Sequence, residues 1–285
     1  MPTVGVIGGS GLYQIDGIKN VKEVAVKTPF GDPSDKFITG TLEDTSVVFL
    51  PRHGRGHRIS PSEINYRANI YGMKKLGVEA IISVSACGSL KEEYKPMDFL
   101  VPDQFLDRTR GRISTFFTDG IVAHVAFADP ISLEIAEIIY DSARKLRMHV
   151  HKGGTYVNME GPQFSTKAES HLYRSWGMDV IGMTNMTEAK LAREAEISYA
   201  TLAAVTDYDC WHPSHDSVTV EMIINYLHKN VANAKNILKL AIPQVGKLKK
   251  FSAADALKFA IITNRDLIPA KIKKDLKPII GKYIQ

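Results

Sequence analysis

Cysteine is scarce: the 285 residues contain only Cys87 and Cys210. Neither falls in a CxxC or Cys/His spacing, so no zinc site or redox pair is encoded, and both thiols are expected to be reduced. No segment approaches the roughly 20 apolar residues of a membrane span. The opening run Met1-Pro2-Thr3-Val4-Gly5 has no basic stretch and no apolar core, which argues against a signal peptide. A cytoplasmic protein that engages no membrane is the expectation. Internal repeats and low-complexity linkers are also missing. Hydrophobic residues make up 44% of the chain, which excludes overall disorder and is ordinary for a globular protein with a sizeable core. The length suits one large α/β domain or two small ones; the reading adopted is one domain over residues 1–285, with 247–285 a basic helical C-terminal segment. That segment holds ten Lys/Arg against three Asp, or +7, whereas the whole chain carries +5. The remaining residues therefore carry −2 and lack the basic stripe and stacking aromatics that nucleic-acid binding requires.

What is present is a repeated pattern of strand, loop and helix. The runs 3–7, 47–50, 80–84, 98–101, 155–159, 179–183 and 198–205 read as strands. Several are apolar throughout, as strands buried on both faces should be. Ser60-Pro61-Ser62-Glu63 reads as a capping box opening a helix that ends near Leu76-Gly77. Asp129-Pro130 opens a second helix, and Thr166-Lys167-Ala168-Glu169 a third. A fourth runs from about Thr219 to Ile242, where Pro243 ends it, and the last forty or so residues read as two further helices, separated around Leu267-Ile268-Pro269. The order implies an α/β fold: a mixed, mostly parallel twisted sheet flanked by helices.

Ligands of such sheets bind beyond the carboxyl ends of the strands, so the residues after each strand carry the chemistry. Five places stand out. Gly8-Gly9-Ser10-Gly11 offers N–H groups and a hydroxyl to an anion, although it is neither a dinucleotide fingerprint nor a P-loop; a plain tight turn is the alternative. Arg52-His53-Gly54-Arg55-Gly56-His57 is either a phosphate-holding loop or an exposed basic one. Ser83-Val84-Ser85-Ala86-Cys87-Gly88-Ser89 is a small-residue turn with hydroxyls and free amides, or simply a buried turn. Glu160-Gly161-Pro162-Gln163-Phe164-Ser165 pairs with Met183-Thr184, where Phe164 and Met183 also suit a core. Thr206-Asp207-Tyr208-Asp209-Cys210-Trp211 places two carboxylates at i and i+2 after a buried strand, an arrangement that is exposed, ligand-bound or partly protonated. A metal there lacks a third carboxylate or paired histidine.

Together these motifs resemble the 5'-methylthioadenosine phosphorylases, in the trimeric branch of purine nucleoside phosphorylases, from residue 3 to about residue 245. The resemblance implies a phosphate site from Ser10, Arg52, His53, Ser85, Ala86 and Thr184. It implies Met183 against the ribose, Phe164 against the base, and Asp207 with Asp209 along the purine edge that bears N7 and the 6-amino group. Val218, Val220, Ile223 and Ile224 would receive the 5'-methylthio end, and His124 would enter from a neighbouring subunit of a homotrimer or a dimer of trimers. Gly182 stands where some members carry Asn, and Thr187 where many carry Pro before the glutamate matching Glu188.

The reaction so implied is phosphorolysis, with Asp207 as general acid at N7, a nucleoside and phosphate as the small-molecule partners, and no metal or organic cofactor. Such a role requires an Asp207 pKa well above ~3.9. A phosphorylase of broader or 6-oxopurine specificity is one rival. Others are a nucleosidase that uses water, which would leave Arg52 and the 8–11 turn without purpose, and a non-catalytic nucleoside-binding module.

Overall fold

The computed structural model describes residues 1–284 apart from 10, 11, 13 and 214–219; of the residues at 220–225, 227 and 228 it describes the backbone only. Chain order gives β1 (Thr3–Gly8), β2 (Ile18–Val24), β3 (Phe37–Leu42), β4 (Thr45–Pro51), α1 (Tyr66–Lys75), β5 (Val78–Ser89), β6 (Phe99–Val101) and β7 (Gln104–Arg108). Then come α2 (Leu133–Lys145), β8 (Val150–Lys152), β9 (Thr155–Met159), α3 (Lys167–Ser175), β10 (Val180–Gly182), α4 (Asn185–Glu194), β11 (Ser198–Asp207) and α5 (Val220–Val245). A 3-10 turn (Arg265–Leu267), α6 (Ala270–Asp275) and α7 (Lys277–Ile280) complete it. The expected mixed, mostly parallel α/β architecture is what forms.

One sheet of 11 strands organises the described residues. Its axis is β5, twelve residues long and almost wholly buried. The first half of β5 lies between β1 and β11, parallel to both. Its last residues exchange β1 for β10, which runs antiparallel with Ile181 opposite Gly88. Two arms therefore leave β5: β10, β9 and β7 on one side, β11, β6 and β8 on the other. The register fixes what meets at the carboxyl ends. Gly8 lies opposite Pro51, Ile7 opposite Ser83, Ala203 opposite Ser85, and Asp207 opposite Gly88. The residues that follow β1 and β4 and those that end β5 and β11 thus lie toward one end of the central strands.

Helices cover the faces with apolar stripes. On α2, Ile135, Ala136, Ile139 and Ala143 are buried at spacings of one, three and four residues; each isoleucine removed from water contributes about 1.5–3 kcal/mol. The basic tail is not a free surface: Leu276, Ile279 and Ile280 are buried, and Tyr71 Oη donates to the Asp275 carbonyl.

Three expectations change in detail. Ser60 and Glu63 do make the predicted bonds, Ser60 N–H and Oγ donating to Glu63 Oε2 at 3.2 and 2.6 Å. They close only a turn, however, and α1 begins at Tyr66, capped by Asn65 Oδ1 accepting from Ala68 N–H. The second helix starts at Leu133 behind Ser132 rather than at Pro130. Pro243 lies inside the last turn of α5; it removes the bond its N–H would make to the Lys239 carbonyl, yet the helix continues to Val245, with Gly246 N–H bonding the Ile242 carbonyl at 2.9 Å. The third helix follows expectation, with Thr166 and Glu169 forming the full capping box. Among the described residues no helix is long and apolar enough to cross a membrane.

Candidate active site

Arg52, the first residue beyond β4, is 2% exposed. Its Nε donates to Glu188 Oε1 at 2.5 Å, and its Nη2 to Glu188 Oε2 at 3.0 Å and Ser83 Oγ at 2.5 Å. Its Nη1 donates to the Val84 carbonyl at 3.1 Å. Burial opposes the charge, but the Glu188 carboxylate outweighs it and holds the guanidinium above its ordinary value. Four of its five N–H bonds are therefore committed among the described residues, and its charge is neutralised at close range. Glu188, 1% exposed on α4, also accepts from Tyr199 Oη at 2.9 Å and Ser83 Oγ at 3.1 Å. The sequence reading assigned it no role, because its partner lies 136 residues away.

The rest of the loop divides. Arg55 and His57 are exposed, whereas His53 is half-buried and stacks on His57 with ring centroids 4.1 Å apart. His53 Nδ1 lies 2.8 Å from the Ile59 carbonyl. A carbonyl only accepts, so Nδ1 carries the proton and Nε2 an open lone pair in the neutral ring. Burial and then the charge of Arg52 push His53 down to about 4, so it is neutral at pH 7 and supplies no cation.

Ser85 and Thr184 are buried, at 7% and 5% exposure, and Ala86 is partly so. Thr184 precedes α4, whose first residue, Asn185, donates to Thr201 Oγ1 at 2.5 Å and contacts Ser83 Oγ at 3.5 Å. Ser83, Ser85, Thr184 and Arg52 are thereby gathered beside the amino end of a helix, where the macrodipole favours an anion. Tyr156, wholly buried, brings its hydroxyl to 3.5 Å from Ser85 Oγ. A Cβ at Gly182 would stand 1.7 Å from that hydroxyl, so the glycine at this position is the complement of Tyr156. Thr187 occupies the first turn of α4, where Pro is also tolerated, so this departure costs the helix nothing.

Asp207 ends β11 at 9% exposure. Oδ1 accepts from Asp209 N–H at 2.8 Å and Oδ2 from Thr206 Oγ1 at 2.7 Å. Burial raises its pKa to about 6 against those two bonds, with the Asp209 charge adding to the rise. Burial raises Asp209 as well. Both lean on Gly88, where a Cβ would lie 2.9 Å from Asp207 Oδ1 and 3.3 Å from Asp209 Cβ. Trp211 closes this corner, its Nε1 donating to the Ser89 carbonyl at 2.8 Å and its ring lying 3.3 Å from the Arg174 guanidinium carbon. Gly161 has φ +69° and its Cβ position is 2.5 Å from Met183 Sδ, so the Glu160–Ser165 loop touches Met183 only because this residue is glycine.

The site so assembled is matched over residues 3–243 by the family model of the phosphorylase superfamily. The chain belongs to that superfamily. A curated relative from Koribacter versatilis, named S-methyl-5'-thioadenosine phosphorylase, is 59% identical over 280 residues, covering 98% of this chain and 96% of the relative. The crystal structure of a methylthioadenosine phosphorylase from an Antarctic soil metagenomic library superposes with a TM-score of 0.93, at 49% identity and 98% coverage of both chains. A variant of the Schistosoma mansoni adenosine/methylthioadenosine phosphorylase, solved in complex with methylthioadenosine, gives 0.81 at 37% identity, covering 90% of this chain and 96% of its own.

Of the residues expected to form the site, Arg52 and His53 follow β4, Ser85 and Ala86 lie late in β5, Met183 and Thr184 follow β10, and Asp207 and Asp209 end or follow β11, strands that the pairing joins through β1 and β5. Phe164 hangs from the same loop as Gly161 and is 46% exposed. His124 is exposed, its N–H bonding the Ala260 carbonyl, and no hydrogen bond among the described residues joins it to the cluster. Ser10 and Val218 lie outside the described residues, as do the side chains of Val220, Ile223 and Ile224, whose backbones belong to α5.

Proposed function

We propose that the chain catalyses phosphorolysis of S-methyl-5'-thioadenosine to adenine and 5-methylthioribose 1-phosphate. The observation that carries this reading is a carboxyl poised near neutrality on the same strand ladder as an anion-sized polar cluster. Ser85 and Gly88, opposite Ala203 and Asp207, are three residues apart on β5, about 10 Å along the strand. That span suits a phosphate under a pentose at one end and a purine edge at the other.

In this reading phosphate attacks C1' of the ribose, the bond from C1' to N9 breaks, and its electron pair passes to the purine. Asp207 delivers its proton to N7, and its second oxygen accepts from the 6-amino group. Phosphate rests on the hydroxyls of Ser85 and Thr184, the Ala86 N–H, the 8–11 turn and the remaining Nη1–H of Arg52. Since Glu188 already balances Arg52, these neutral donors and the α4 dipole carry much of the binding. The bare Nε2 of His53 suits the proton-bearing oxygen of hydrogen phosphate. Met183 lies along the ribose and Phe164 over the base, with Val218, Val220, Ile223 and Ile224 receiving the methylthio group. The chemistry calls for no metal or organic cofactor, phosphate being the co-substrate.

A homotrimer belongs to the same proposal, with His124 completing a neighbour's site. In its support, the segment that carries His124 pairs with the tail through Ala123 and Ile261, and Val122, Phe259 and Ile262 are exposed around it. Such an apolar patch marks an association surface. The test is substrate choice in phosphate buffer: kcat/KM for methylthioadenosine should exceed that for adenosine and, more strongly, inosine. A preference for inosine would replace the reading with a 6-oxopurine phosphorylase.

A further inference from the structure

Arg112 has no part in the chemistry above, yet its side chain is only 4% exposed and each of its three nitrogens donates a hydrogen bond. It comes from the loop between β7 and α2. Nε donates to Glu160 Oε1 at 2.9 Å and Nη2 to the Glu160 carbonyl at 2.5 Å. Nη1 donates to the Met183 carbonyl at 2.6 Å and to Tyr66 Oη at 3.0 Å. The two carbonyls root the two segments that bear on the nucleoside: Glu160 opens the loop of Phe164, and Met183 is itself the ribose contact. Glu160 Oε1 also accepts from Ser62 Oγ at 2.6 Å and Oε2 from Arg110 N–H at 2.5 Å. Further along the same loop, Glu194 accepts from Thr115 Oγ1 and Phe116 N–H, each at 2.7 Å. No described bond of Arg112 reaches Arg52, Glu188 or Ser83.

We propose that Arg112 is a positioning residue that sets the spacing between Met183 and the Phe164 loop, and so the fit of ribose and base, without touching substrate. This rests on reading the site as a nucleoside site. Only a guanidinium serves here, because its planar fork reaches two carbonyls and a carboxylate at once, whereas a lysine offers a single nitrogen. A misplacement on the scale of 1 Å costs about 100-fold in rate.

The experiment compares wild type, Arg112→Gln, Arg112→Lys and Arg112→Ala for kcat and both KM values with methylthioadenosine and phosphate, and for restoration of Arg112→Ala by added guanidinium ion. Arg112→Gln is expected to lose about 100-fold in kcat/KM for the nucleoside while KM for phosphate stays unchanged. Arg112→Lys should recover little of it, and guanidinium should restore Arg112→Ala. Wild-type activity in a folded Arg112→Gln overturns the proposal, as does a parallel rise of both KM values. Should the Gln and Ala variants fail to fold, Arg112→Lys decides: full activity overturns the proposal, and a loss confined to the nucleoside parameters upholds it. A wild type that does not turn over methylthioadenosine refutes the reading of the site itself, which is distinguishable from an active wild type with indifferent variants.

Discussion

Replacing Asp207 by Asn changes a proton and little else. The amide oxygen keeps the bond from Asp209 N–H, and its NH₂ meets the Thr206 hydroxyl, which can accept as readily as donate. What disappears is a transferable proton, worth about 10²–10⁴-fold or roughly 3–5 kcal/mol for a leaving adenine. A 6-oxopurine presents two acceptors on that edge, which the NH₂ serves, so the ratio of inosine to methylthioadenosine turnover should rise even as both rates fall. Stability should move the other way. Burial lifts Asp207 from 3.8 to about 6, so the folded state holds this proton more tightly than the unfolded one. The group's contribution is therefore fullest below pH 3.8 and is lost as pH rises to about 6, a loss of roughly 3 kcal/mol that Asn does not suffer. The assay is kcat/KM for both nucleosides together with urea unfolding of both proteins at pH 8. In wild type, kcat/KM for methylthioadenosine should also fall above about pH 6, and the mutant should lack that limb. An unchanged substrate ratio, or a mutant that loses stability along with activity, would refute the argument.

The remaining predictions concern neighbours of this network. Glu194, raised by burial to about 7 from 4.5, should cost roughly 3 kcal/mol as pH rises through 4.5 to 7; Glu194→Gln, which can serve both its partners, should remove that slope from urea titrations across the window. Arg52→Met should destabilise by about 3–5 kcal/mol by stranding the buried Glu188 carboxylate, and adding Glu188→Gln should return part of that in thermal unfolding. Gly88→Ala should shift both carboxylates and lower kcat/KM for the nucleoside while circular dichroism stays native, because the added methyl falls 2.9 Å from Asp207 Oδ1.

The buried strands were legible because β1, β4, β5 and β11 are apolar runs bounded by turn residues. β2 was not: its interior positions are exposed and, apart from Val21, polar, as suits a sheet edge, and it carries no periodic signal. α4 escaped for a different reason: eight of its ten residues are buried, and because Asn185, Thr187, Glu188 and Glu194 are among them, polarity along the sequence does not mark its exposed face. The five site motifs were visible because each follows a strand. Their wiring was not. Arg52 reads in sequence as a free cation for phosphate, and only the fold reveals Glu188 against it. Arg112 sits in Arg108-Thr109-Arg110-Gly111-Arg112, which looks like one more basic loop, and its partners lie 46 to 75 residues away. Long-range pairing between polar residues leaves no local pattern, so a sequence shows donors without showing which are already spent.

The central claim, that an anion enters as the nucleophile, is tested most directly by adenine release from methylthioadenosine with and without inorganic phosphate. The account predicts that release depends on phosphate and saturates with it, yielding one sugar 1-phosphate per adenine by phosphorus NMR. Equal release in phosphate-free buffer, with free 5-methylthioribose as the product, would contradict it.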